Sequence, residues 1–128
     1  DLQIDEYFTA NLAMALASYN EAQFASQALT DDGAITFTKR YNLCTLDKAG
    51  AINATLDSPV ESDNGKILII QGLKAQANVV TADDALAIDG LYKIFTATGS
   101  AANEKLVLIA MHTKWIAITV DGVLSNPA

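Results

Sequence analysis

Few side chains in this chain could do chemistry. His112 is the only histidine and Cys44 the only cysteine. A general base or an activated nucleophile needs a partner within hydrogen-bond reach, and no recognisable motif sets one beside either residue. A zinc site needs more His or Cys than the chain owns. Asp31-Asp32 and Asp83-Asp84 could offer carboxylates to calcium, but neither pair has the spaced ligands of a calcium loop. Capping or turn roles suit them better. The glycines are scattered and no phosphate-binding signature occurs. Asn53-Ala54-Thr55 matches the glycosylation acceptor pattern, a short motif that falls in an expected strand. Trp115 could stack on a sugar, but one large hydrophobe in an apolar strand is first a core or interface residue. The expectation is a structural protein and not an enzyme, with no catalytic residue, no metal and no cofactor.

The elements that would hold these residues are short strands. Lys105 to Val120 contains two apolar arms around the polar break His112-Thr113-Lys114 and is followed by Asp121-Gly122. Val, Ile, Thr and Trp suit a pleated, half-buried surface, so this stretch predicts a β-hairpin. Upstream, Ala34 to Thr38 and Tyr41 to Leu46 read as a first strand pair. Asp47 to Gly50 turns the chain into 51–56, where Ile52, Ala54 and Leu56 alternate with Asn53 and Thr55. A polar loop from Asp57 to Gly65 leads to Lys66-Ile67-Leu68-Ile69-Ile70, apolar enough to be buried on both faces. Ala77 to Thr81 and Leu91 to Thr96 complete about eight strands. Short strands at regular spacing predict an antiparallel β-sandwich or jelly-roll-like domain over 33–128.

The first 32 residues differ in kind. They carry Asp1, Asp5, Glu6, Glu21, Asp31 and Asp32 with no Lys or Arg, so they hold −6 of the total charge of −7. Phe8, Leu12, Leu16 and Tyr19 recur at helical spacing among alanines, and Gly and Pro are absent until Gly33. An α-helix is expected over about 5–18, continuing or re-forming to Leu29, with Asp31-Asp32-Gly33 as its stop. Asp5 and Glu6 suit its N-terminal dipole. Such a stripe must be buried, on its own β-domain or on a neighbouring subunit. Phe8, Leu12, Leu16, Tyr19 and Trp115 are therefore the candidate interface residues.

Composition excludes several partners. The chain of 128 residues is 51% hydrophobic but only 7% aromatic, so small aliphatic side chains supply its apolar mass. No run approaches the roughly 18 apolar residues of a membrane span, no basic n-region marks a signal peptide, and no basic patch suits nucleic acid. A surplus of aliphatic surface is expected to be buried between subunits.

Gly33-Ala34-Ile35-Thr36 opens a strand, and Asn42-Leu43 precedes the stretch from Asp47 to Leu56. Asp63-Asn64-Gly65-Lys66-Ile67 stands before the buried strand. Lys105-Leu106-Val107-Leu108-Ile109 is joined to Thr113-Lys114-Trp115-Ile116 and closes on Asp121-Gly122-Val123. Together these resemble a recurring arrangement in tailed-phage virion proteins, the small capsid decoration (cement), head-fibre and related fibre β-domains. The resemblance covers about 33–126 and rests on turn-and-strand patterns. The Ala-rich stretch from Leu73 to Asp89 departs from the usual Gly/Thr-rich middle, and the acidic N-terminal segment has no counterpart.

The resemblance implies a homotrimer on the outer capsid surface, assembled in the host cytoplasm and clamping copies of the major capsid protein. A tail or fibre component is the nearest alternative. A pilus-type subunit would also place a helix before a β-head, but this N-terminal segment is too acidic for an apolar stalk. A carbohydrate-binding module centred on Trp115 is the remaining alternative.

Overall fold

The computed structural model describes residues 23–127. Among them lie ten strands: β1 (Phe24–Leu29), β2 (Gly33–Ala34), β3 (Tyr41–Leu46), β4 (Asn53–Leu56), β5 (Ile67–Gly72), β6 (Val79–Ala82), β7 (Ile94–Ala97), β8 (Lys105–Met111), β9 (Lys114–Val120) and β10 (Gly122–Ser125). They form two five-stranded sheets. Sheet A has the order β1-β3-β5-β8-β9 and sheet B the order β10-β7-β6-β4-β2.

The first six strands alternate between the sheets, so each strand of one sheet is the crossover for the other. As a result β1, β3 and β5 are parallel in sheet A, and β2, β4 and β6 are parallel in sheet B. The chain then doubles back, and the β5–β8, β8–β9, β6–β7 and β7–β10 pairs are antiparallel. A mainly β domain is thus present, but its sheets are mixed and not antiparallel. The physical reason is that a strand with one face on the core alternates polar and apolar residues whichever way its neighbour runs. Parallel pairing also separates segments expected to be neighbours. Ala34 to Thr38 does not pair with Tyr41 to Leu46; β3 pairs instead with β1 and β5.

The inner faces follow this alternation. Cys44, Leu46, Leu68, Ile70, Leu106, Leu108, Ala110 and Trp115 point inward from sheet A. Ala54, Leu56, Val80, Phe95 and Ala97 answer them from sheet B, and all belong to one buried cluster. Two buried asparagines replace missing ladder bonds. Asn42 donates to the carbonyls of Lys39 and Ile67 and accepts from the Lys39 N–H. Asn78 accepts from Ile52 N–H at 2.8 Å, tying the approach to β4 onto the approach to β6.

Residues 24–29 correct the expected helix. Ala, Gln and Leu favour a helix locally, but here they form β1, in register with Tyr41 to Leu46. The Gln27 amide fixes the return of the chain by donating to the Ala34 carbonyl and accepting from Thr36 N–H, at 2.8 and 2.9 Å. The β-domain therefore begins before Gly33. The helix expected over 5–18, with Phe8, Leu12, Leu16 and Tyr19, lies outside the described residues.

The hairpin expected at the chain's end is β8–β9. His112 and Thr113 form its two-residue loop, both with positive φ, 51° and 65°, as a primed turn requires. A bulge between Val107 and Leu108 shifts the register, leaving Ile118 without a partner residue and 58% exposed. Gly122 opens β10 where no side chain fits. A Cβ there would meet the Thr96 carbonyl oxygen at 2.2 Å.

Candidate functional site: a braced loop end

One end of the sandwich gathers the loop 57–66, the hairpin tip 111–114 and the loop 83–92. Trp115, at the start of β9, joins them. Its side chain has no exposed surface, its indole N–H donates to the Asp57 carbonyl at 3.0 Å, and its ring meets Phe37 edge-on at 4.9 Å. Its backbone pairs with the loop 83–92. Trp115 N–H donates to Ala87 and Asp89 N–H donates to Trp115, each at 2.7 Å. Ala117 N–H donates to the Asp89 carboxylate. This loop therefore covers part of the free edge of β9. Trp115 belongs to the core: it has no surface for a partner subunit or a sugar, which corrects its expected place at an interface.

Carboxylates hold the loops. Asp83 accepts from the Ser58 N–H and hydroxyl at 3.0 and 2.6 Å, joining two of them. Asp84 accepts from Leu86 N–H at 3.0 Å and pairs with Lys114 at 3.3 Å. The Leu86 N–H and the Lys114 ammonium hold the Asp84 carboxyl below its ordinary range. Asp63 accepts from Val60 N–H and pairs with Lys66 at 2.7 Å. Partial burial pushes the Asp63 carboxyl up, but Lys66 and the Val60 N–H outweigh it and the net direction is down. Lys66 also donates to the Phe37 carbonyl at 3.1 Å, which links this loop to the core beside Trp115. Asn64 accepts from His112 N–H at 2.8 Å.

Among the polar groups these loops expose, such as Glu61, Asp83, Asp84 and Asp89, stand four large apolar side chains. Val60 is 58% exposed, Leu86 51%, Leu91 58% and Met111 48%. Apolar side chains held out by loops that are themselves hydrogen-bonded form a contact surface with little ordering left to do on binding.

The other sites considered in the sequence take structural places. Asp83-Asp84 brace turns, Asp31 pairs with Lys48 at 2.8 Å, and Asp32 accepts from Asn53 N–H. His112 is exposed in the hairpin turn. Cys44 is fully buried, and burial pushes its thiol up to about 11. No group of three or more His, Cys, Asp or Glu that could hold a metal occurs among the described residues, and none of their helices is long and apolar enough to cross a membrane. Sequence reasoning missed Val60, Leu86 and Leu91 as contact residues. The Pro-Val and Asp-Asp-Ala-Leu contexts mark turns, but only the fold brings those turns to one end. Compared with known families, curated proteins and solved structures, the chain matches none.

Proposed function

We propose that this protein is a structural subunit of a virion, a decoration or cement protein seated on the outer surface of a tailed-phage head. The observation that carries this reading is the braced loop end. It presents Val60, Leu86, Leu91 and Met111 to solvent on loops fixed by Asp63, Asp83 and Asp84. A surface of that kind works by being buried. Each square ångström of apolar area removed from water contributes roughly 25 cal/mol before the costs of ordering. Many copies on one shell make such modest contacts collectively strong. The resemblance of 33–126 to virion β-domains supports the same reading. In it, the partner is the major capsid protein, the working form is a homotrimer, and the place of action is the capsid surface.

Immunogold electron microscopy with antibody to this chain tests it. Even label over the heads of particles from the native source is the expected result. Label confined to tails, fibres or cell filaments would recast the protein as a component of those structures.

A further inference from the structure

Where β3 and β5 begin, beside the loop 57–66, lies an open cleft of about 330 Å³. Thr38, Lys39, Arg40, Ser62, Asn64 and Lys66 are among the residues that line it. It collects three of the eight basic groups of a chain whose net charge is −7. Among the described residues no carboxylate lines it.

The turn that carries Lys39 and Arg40 is fixed from within. Asn42 is buried, and its amide accepts from Lys39 N–H at 3.0 Å and donates to the Lys39 and Ile67 carbonyls at 2.7 and 3.1 Å. The Arg40 carbonyl accepts from Ile67 N–H at 2.8 Å, and the Arg40 guanidinium stands 5.8 Å from the centre of the Tyr41 ring. Lys66 is already matched, by Asp63 at 2.7 Å and the Phe37 carbonyl at 3.1 Å. Lys39 and Arg40 differ: among the described residues no carboxylate pairs with either.

The donor set selects the anion. A phosphate cradle is built from convergent backbone N–H groups. Here the N–H groups of Lys39, Asn64, Gly65 and Lys66 are all bonded within the protein, to Asn42, Glu61, Ala110 and Asp63. What remains is side-chain charge beside the Thr38 and Ser62 hydroxyls. A guanidinium next to an ammonium suits carboxylates, and Arg engages both oxygens of one at once.

We propose that this cleft takes an acidic peptide segment of the partner protein, with its carboxylates on Lys39 and Arg40. The inference rests on the reading that the loop end meets a protein partner, because the loop 57–66 serves both surfaces. It holds out Val60 at the loop end and sets Ser62 and Asn64 into the cleft. Apolar contact then supplies area, while the charge pairs select which segment docks and in which orientation. The acidic balance of the chain as a whole repels such a segment, so this basic cleft defines its place.

Anisotropy of a fluorescein-labelled oligoglutamate peptide, titrated with the full chain, tests the assignment. The unaltered chain should bind it, and more weakly as salt is raised. The double variant Lys39→Gln, Arg40→Gln should bind at least about tenfold more weakly, as two charge pairs are lost at a partly exposed site. Its remaining binding should depend little on salt. The double variant Lys93→Gln, Lys105→Gln makes the same change of net charge outside the cleft and should bind like the unaltered chain. The near-ultraviolet signal of Trp115 should be the same in all three. No binding by the unaltered chain, or equal weakening in both variants, would overturn the proposal. Displacement of the peptide by an equal concentration of inorganic phosphate would overturn it in favour of a phosphate site. Co-sedimentation with capsids that lack the chain separates the cleft from the proposed function. Undiminished attachment of Lys39→Gln, Arg40→Gln would overturn the acidic partner segment and leave the shell reading standing. Failure of the unaltered chain to attach, with oligoglutamate still bound through Lys39 and Arg40, would overturn the shell reading and sustain the cleft.

Discussion

The outer faces of the two sheets differ although their inner faces are alike. Sheet A shows the solvent side Phe24, Tyr41, Ile67, Ile109 and Ile116 in one row, whereas the corresponding rows of sheet B run Asn53, Val79, Thr96, Val123 and Thr55, Thr81, Ile94, Ser125. Threonine and asparagine let sheet B stand in water on one side. Sheet A shows apolar side chains to its outer side instead, with Phe24 57% and Ile116 36% exposed. Pairing direction does not explain the contrast, because both sheets are parallel in one half and antiparallel in the other.

If the shared core is as continuous as the fold implies, Trp115→Ala should give the largest loss, about 4 kcal/mol of unfolding free energy. Urea denaturation checks this; a loss below about 1 kcal/mol would mean that the ring is not sealed between the sheets. On the sheet B side, Gly122→Ala should cost about 3 kcal/mol, because the added methyl collides with backbone and no flexible side chain can give way. Thermal unfolding would register it.

The outer faces are compared directly by a matched pair. Ile69→Thr on sheet A should cost about 1.5 kcal/mol, as expected of a half-buried aliphatic side chain within an apolar row. Thr81→Val on sheet B should change stability by less than about 0.5 kcal/mol, as at an ordinary surface position. Equal effects from the two would erase the contrast.

The smallest effect is acid sensitivity at the loop end. The Asp84 carboxyl titrates below its ordinary value of 3.8 in the folded chain. Its stabilising contribution is therefore fully present above that value and is lost as pH falls through the lower, folded one. Thermal midpoints followed from pH 7 to pH 2 should fall less steeply at the acid end in Asp84→Asn than in the unaltered chain. Identical slopes would show that Lys114 and the Leu86 N–H do not favour the charged form.

Much of this was legible in the sequence. The alternation of Ile52, Ala54 and Leu56 with Asn53 and Thr55 marked the inner face of β4 and its approach, and the break at His112-Thr113 marked the hairpin. The apolar run Ile67 to Ile70 announced a strand buried on both faces, whereas of these four only Leu68 and Ile70 are buried in β5 and the outward Ile67 and Ile69 are half-buried. What was not legible was pairing. Phe24 to Leu29 has helix-forming residues, and only the ladder to β3, 17 positions on at Phe24↔Tyr41, makes it a strand. Gly122 to Ser125 was assigned to no strand beyond the hairpin, yet it is the edge strand β10. The loop end was hidden for the same reason, since Val60, Leu86 and Met111 are scattered along the chain and only the crossovers between sheets unite their loops.

In the proposed function, the braced loop end is the surface that would meet a shell. The most direct measurement is co-sedimentation of the purified full chain with capsids that lack it, comparing the double variant Leu86→Asp, Leu91→Asp with Val123→Asp on the outer face of sheet B. The loop variant should lose attachment at least about tenfold, the effect of about 1.4 kcal/mol, while Val123→Asp should sediment like the unaltered chain. Equal attachment of all three, or no attachment of the unaltered chain, would contradict the account.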